Sequence, residues 1–167
     1  MVEALKYRIR PAERADLAAL EWDGEYKHFR RVYRQAMQEA ERGNRLLLVA
    51  EVEEEIIGQI FIAFENGWKN RFRGQRAAYL HSFRVKPDYR NQGVGRSLLR
   101  RAESEVMAHG WERVVISVAK ENAGALRLYE NLGYRVFSED AGSWSYFDDE
   151  GVLQHIDEPA YVLDKEL

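Results

Sequence analysis

The sequence predicts a mixed α/β domain, a sheet flanked by helices, with residues 1–167 forming one unit. Three observations carry this. Residues 45–65, "RLLLVAEVEEEIIGQIFIAFE", read as an apolar run, a Glu-rich turn at Glu53–Glu55 and a second apolar run, which is an antiparallel hairpin. "AAYLHSFRV", then "VKPDYRNQGVGRSLL", then "ERVVISVAK" give a strand, a glycine loop opening a helix, and another strand. Two further segments repeat apolar residues at three- and four-residue steps, the spacing of a helix with one buried face.

Along the chain, "LKYRIR" alternates Tyr7 and Ile9 with cations and stops at Pro11, a short first strand. "AERADLAALEW" and "EYKHFRRVYRQAMQEAERG" are expected to be helices. In the second, Phe29, Val32, Tyr33, Ala36, Met37 and Ala40 share one face, and Gly43 caps it. After the hairpin and the fourth strand, Val94, Leu98, Leu99, Ala102 and Val106 form the stripe of the next helix, which closes near Gly110. "NAGALRLYENLG" is a helix running from Asn122 to the stop at Gly133; "YRVF" is a strand, and a last strand falls around Tyr161–Leu163. In "GSWSYFDDEGVLQHIDEP", His155 with Asp148, Asp149 and Asp157 could suggest a metal site, but they lack a defined ligand spacing, and a hydrated loop is the preferred reading.

Composition narrows the function. Hydrophobic residues make up 46%, charged residues 32% and aromatics 12%, ordinary for a folded, water-soluble protein. A net charge of -3 does not favour nucleic acid or anionic membrane as partner. No segment approaches a membrane span, and the first residues lack a signal-like apolar run. Without cysteine there is no disulfide, thiolate metal site or cysteine nucleophile, and the cytoplasm is the expected setting.

"RNQGVG" removes side chains just where a strand feeds a helix. Backbone without Cβ can approach a ligand closely, and a helix N-terminus offers unpaired amides to an anion. The motif lacks the lysine and spacing of a P-loop, and Leu98 stands where a dinucleotide fingerprint needs its third glycine. Taken alone, Gly93 and Gly95 equally well turn the chain into the helix. Arg90 and Arg96 add charge suited to a pyrophosphate.

The two motifs together resemble the GNAT superfamily of N-acetyltransferases. Its Arg/Gln-x-x-Gly-x-Gly/Ala signature stands here as Arg90, Asn91, Gln92, Gly93, Val94 and Gly95, and "NAGALRLYENLGY" resembles the second motif. The resemblance is sharp from about Tyr79 to Tyr134. It implies a mostly antiparallel sheet splayed at its centre, with acetyl-CoA as acetyl donor and no metal. It also implies that the backbone of Phe83, Arg84 and Val85 meets the pantetheine arm, that Asn91–Arg96 hold the pyrophosphate and that Asn122 reaches the pantetheine. Asn122 also suits the N-cap of its helix.

Acetyl transfer to an amine needs a neutral nitrogen, a stabilised oxyanion and a proton for the thiolate. Tyr129 matches the family's proton-donating tyrosine, and it also fits a core aromatic beside Ala125, Leu128 and Leu132. His81 stands where the family often places a Glu base, and a histidine could take the proton directly or through water. It also fits a hydrogen-bonded strand histidine. Relatives that acetylate protein N-termini use a Glu on the fifth strand; Ser117 stands there, which weighs against that substrate.

Trp22 and Tyr26, with Asp23, Glu25 and Phe29, fall where the family borders its acceptor, as do Trp144, Tyr146 and Phe147 on the other wall. The expected acceptor is the primary amine of a small molecule or peptide, and a homodimer follows from the family's habit of pairing C-terminal strands. Two alternatives stand beside this: an acyl-CoA-binding regulatory module without efficient transfer, and nucleic-acid binding through Lys69, Arg71, Arg73 and Arg76 interleaved with Trp68 and Phe72.

Overall fold

The computed structural model describes residues 4–64 and 75–167. Lys69, Arg71, Arg73, Trp68 and Phe72 lie outside the described residues.

The described strands are β1 (Arg8–Pro11), β2 (Arg45–Val52), β3 (Glu55–Ala63), β4 (Ala77–Val85), β5 (Arg113–Ala119), β6 (Arg135–Asp140), β7 (Ser143–Phe147), β8 (Leu153–Asp157) and β9 (Ala160–Glu166). The helices are α1 (Arg30–Glu41), α2 (Val94–Ala108) and α3 (Ala123–Asn131). Seven strands form one sheet in the order β1-β2-β3-β4-β5-β9-β6, and β7 and β8 form a separate hairpin. Every neighbouring pair is antiparallel except β4–β5. A parallel pair needs a crossover, and the glycine loop with α2 supplies it.

Strand alternation divides the core between the two faces of the sheet. Leu47 and Val49 of β2 join Phe61 under Tyr33, Ala36 and Met37 of α1. Leu48 and Ala50 join Ile60 and Ile62 under Val94, Leu98, Leu99, Ala102 and Val106 of α2. Side chains of this kind contribute roughly 1.5–3 kcal/mol each on burial, so the two helices are held by packing rather than by propensity. Between β2 and β3, Glu53 and Glu54 both take positive φ (48° and 71°), the backbone a two-residue hairpin turn requires.

Three expected elements differ. Residues 12–22 form two single 3-10 turns, Arg14–Asp16 and Ala19–Glu21, instead of a helix. Trp22 and Asp23 then enter the left-handed region (φ 46° and 56°), which breaks any helical continuation. The second expected helix begins at Arg30 after a 3-10 turn at Lys27–Phe29. Its first residues are aromatic and pack sideways: Phe29 lies 5.0 Å from Tyr146 and 6.0 Å from Trp144, centroid to centroid. The expected loop at 143–157 is the β7–β8 hairpin, paired from Ser143↔Asp157 to Phe147↔Leu153. Asp148 closes its turn by accepting the amides of Glu150 and Val152, each at 2.9 Å. Within it His155 is tied to Asp157 (3.1 Å) and Ser145 (3.0 Å).

Candidate active site

The β4–β5 ladder runs only from Ala77↔Arg113 to Leu80↔Ile116. Beyond it the strands part, each still paired on its far side with β3 or β9. The facing edges of residues 81–85 and 117–119 have no strand between them, so they lack a ladder partner on that side, and the carbonyls of Ser82 and Val85 are taken by the side chains of Gln59 and Arg90. The split coincides with an irregularity in β3–β4 pairing between Gln59 and Phe61 and with a positive φ of 52° at Ser82. Gln59, fully buried, donates Nε2 to Ser82 O at 3.1 Å and fixes that bend. A cavity of about 750 Å³ opens there, walled by both strand edges, α1, Tyr129 of α3 and Trp144 of β7.

On the α2 side the glycine loop is open. The amides of Asn91, Gln92, Gly93, Val94, Gly95 and Arg96 have no partner among the described residues; Ser97 is the first to bond, to Gly93 O at 3.0 Å. Asn91 and Gly93 take positive φ (61° and 87°), which curls the amides around one point, and the helix dipole adds positive potential. A Cβ on Gly95 would sit 3.3 Å from Phe83 Cζ, so glycine is what lets loop and strand meet. Val94 turns its side chain into the core and offers only backbone. Arg90 folds back to donate to Val85 O at 2.8 Å, while Arg96 is exposed. Gln92 donates to Asp88 O at 3.4 Å. Tyr7, read from the sequence only as a strand residue, shares a 2.6 Å hydrogen bond with Ser97 Oγ and ties the start of α2 to the segment leading into β1.

Tyr129 is 5% exposed, and it lies against Phe83 at 6.1 Å between ring centroids. Burial pushes its phenol well above the ordinary range, with Tyr79 adding to the shift, so the hydroxyl keeps its proton at neutral pH. Its hydroxyl makes no hydrogen bond to a described residue, and the residue lines the cavity. Asn122 Oδ1 accepts the Ala125 amide at 3.1 Å, the N-cap bond of α3, and the residue also reaches the cavity wall.

His81 has a partner at each ring nitrogen. Arg45 Nη1 lies 3.1 Å from His81 Nε2, and a guanidinium only donates, so Nε2 is the acceptor. Nδ1 then carries the proton and donates to Ser82 Oγ at 3.1 Å. Burial and the Arg45 charge push the imidazole down to about 3, so it is neutral at pH 7 with its lone pair already engaged. Ser117 lines the cavity opposite.

Trp22 and Tyr26 stand one layer behind the cavity wall. They enclose the side chain of Arg84, which does line it: Arg84 Cζ is 3.4 Å from the Tyr26 ring centroid and 4.9 Å from that of Trp22. Arg84 Nη2 donates to Leu20 O at 2.9 Å and to the Tyr33 hydroxyl. Sequence reasoning assigned Arg84 only a backbone role; its side-chain setting depends on the 3-10 turns, whose sequence has the spacing of a helix instead. Asp140 and Glu158 also line the cavity and were likewise missed. Phe147 points away and is 56% exposed. Among the described residues no group of three His, Asp or Glu side chains could hold a metal, and no helix is long and apolar enough to cross a membrane.

Residues 13–134 match the model of the acetyltransferase (GNAT) family. The chain belongs to that family. Solved structures agree in fold over nearly the full length of both chains. NAA60 of Arabidopsis thaliana in complex with acetyl-CoA superposes with a TM-score of 0.74 at 18% identity, covering 97% of this chain and 99% of that one. PaiA N-acetyltransferase of Thermoplasma acidophilum in complex with coenzyme A gives 0.72 at 17%, covering 98% and 100%. The ribosomal-protein-alanine N-acetyltransferase of Brucella melitensis gives 0.71 at 18%, covering 96% and 99%. The seven-stranded, mostly antiparallel sheet with its central split is thus the GNAT fold, and these identities speak to fold alone.

Proposed function

We propose that this GNAT protein transfers the acetyl group of acetyl-CoA directly to a primary amine. The observation that carries the reading is the continuity of the site: six amides at Asn91–Arg96 with no partner among the described residues lead past Phe83 into the β4–β5 split, where Tyr129 stands. Acetyl-CoA would supply an activated thioester. The loop amides and Arg96 would hold its pyrophosphate, and the open edge of Phe83, Arg84 and Val85 would hydrogen-bond its pantetheine arm. Asn122 primarily caps α3 and borders that arm.

Tyr129 donates the proton that the departing sulfur needs. Its raised pKa keeps it a donor at neutral pH, and a thiol near 8.5 is a modest demand. The amine is the harder problem, since an alkylammonium near 10 must lose a proton first. His81 does not take that proton directly, because its basic nitrogen accepts from Arg45. It positions the β4 bend, and the amine is deprotonated by solvent at the cavity mouth. β6 is an outer strand of the sheet and presents an edge on which a second copy could pair, a point that light scattering decides.

The test is release of free CoA from acetyl-CoA in the presence of a panel of amines, amino acids, polyamines and peptides. Amine-dependent release with acetylated product supports transfer. Tight acetyl-CoA binding without release for any acceptor leaves the acyl-CoA-binding module as the reading.

A further inference from the structure

We infer that the acceptor amine carries a second positive charge, and that Asp140 and Glu158 hold this charge beside the ring of Trp144, at the base of the β7–β8 hairpin. This rests on the acetyl-transfer reading above and adds the class of its acceptor.

The sheet register decides where the first carboxylate stands. Asp140 of β6 pairs with Ala160 of β9, and Ala160 pairs with Ala119 of β5, so the three side chains form a row across one face of the sheet. Ser117, two residues along β5, shares that face, and Ser117, Ala119 and Asp140 all line the cavity. The row starts at the open edge of β5 and reaches Asp140 after two strand spacings, about 10 Å. Alanines alone stand between, so no longer side chain in the row fills the path. Glu158 joins from the hairpin base, where its amide donates to Gly142 O at 3.2 Å. A Cβ on Gly142 would overlap Glu158 O, so glycine is what lets the two arms cross this closely and holds Glu158 beside Asp140 at the cavity wall. Trp144, two residues beyond Gly142, completes this end of the cavity with a ring that is 42% exposed.

Neither carboxylate meets a cation among the described residues. Asp140 Oδ1 accepts the Gly142 amide at 2.7 Å, and Glu158 makes no side-chain hydrogen bond or ion pair to a described residue. The neighbouring lysine is turned to the opposite face: Lys120 Nζ lies 3.1 Å from Glu139 Oε2 and 5.3 Å from the Tyr161 ring centroid. The arginines of the cavity lie across the split on β2 and β4 and have acceptors of their own, His81 Nε2 for Arg45 and Leu20 O and the Tyr33 hydroxyl for Arg84. Single exposed carboxylates are ordinary; these two share a cavity wall with an indole, the ring face that attracts a cation best. The cavity itself is built to receive a ligand, because Tyr129, 5% exposed, brings to it a hydroxyl that makes no hydrogen bond to a described residue. One nitrogen at the split and a second cation about 10 Å away describe a long diamine or a basic peptide, not two amino groups on adjacent carbons.

Matched acceptors test this on the wild-type protein: 1,6-diaminohexane against 6-amino-1-hexanol, and glycyl-lysinamide against glycyl-norleucinamide. The expected result is a kcat/KM about tenfold or more higher for the dication in at least one pair, compared per unprotonated amine, with the difference in KM and shrinking as salt is added. A ratio confined to the diamine assigns a small polyamine and one confined to the peptide a basic peptide; either supports the inference. Asp140→Asn and Glu158→Gln should each lower the ratio, and together bring it toward one, while acetyl-CoA affinity stays within about twofold. Trp144→Leu should lower it as well. Equal turnover within both pairs by the wild-type protein overturns the inference, and so does a ratio that survives the double variant. If no amine is acetylated, the transfer reading fails separately, and the cation site is still decided by calorimetry. Titration of the CoA-bound protein with the same pairs then shows either a preference for the dication that the double variant abolishes, which supports the site, or no preference, which overturns it.

Discussion

The two sides of the β4–β5 split are built from different material. The glycine loop uses backbone: six amides, two positive-φ residues and a glycine close to Phe83, all within one short segment. The Arg84 side uses side chains gathered from far apart, with Leu20, Trp22 and Tyr26 in the 3-10 turns, Tyr33 in α1 and Gln59 in β3 all meeting on one guanidinium. A backbone device tolerates many sequences but demands its glycines, so it leaves a motif. A side-chain device leaves no local motif, because its parts meet only in the fold.

The largest expected effect removes one oxygen at the junction of the two sides. Tyr129→Phe keeps the buried ring and loses the proton donor, so kcat should fall about 100-fold or more, the usual scale of general acid catalysis, with acetyl-CoA affinity retained. Stopped-flow or steady-state CoA release checks this against calorimetric binding. Next comes Gly95→Val. A Cβ at Gly95 already lies 3.3 Å from Phe83 Cζ, and two further methyls overpack the contact by roughly 1–3 kcal/mol, or about tenfold or more in CoA affinity.

His81 gives a pH test. Its folded pKa of about 3 is depressed below the unfolded 6.5, so the unfolded chain binds the extra proton and stability falls as pH drops below 6.5. By pH 4 the loss is about 3 kcal/mol relative to pH 7.5, at 1.36 kcal/mol per unit. Urea unfolding of wild type and His81→Gln across that range should show the difference between them shrinking by about that amount. Correspondingly, no inflection near pH 6.5 belongs to His81 in kcat/KM. Smallest is Asn122→Ala, which removes the α3 cap bond to Ala125 and should cost about 1 kcal/mol in stability with little effect on turnover.

Legibility in the sequence followed the same division. The β2–β3 hairpin, the strand-loop-helix-strand unit around α2 and the cap of α3 were readable because each is declared by local periodicity or by a residue whose role is local. The 3-10 turns over residues 14–21 were not, because Leu17 and Leu20 have helical spacing that tertiary packing overrides. The β7–β8 hairpin did alternate Trp144 and Tyr146 with serines, but its acidic turn reads as loop until Asp148 is seen capping two amides. Asp140, Glu158 and the cage around Arg84 come together only through the fold, and no spacing announces them.

The central claim, that the glycine loop and Tyr129 serve one acetyl transfer to an amine, is tested most directly by single-turnover reaction of wild type and Tyr129→Phe. Each is loaded with acetyl-CoA labelled in the acetyl group and mixed with a pool of amines. Transfer of label to an amine by the wild-type protein, slowed about 100-fold or more in the variant at equal acetyl-CoA occupancy, is the predicted result. Label that stays on CoA in both proteins, or transfer at the same rate in both, would contradict it.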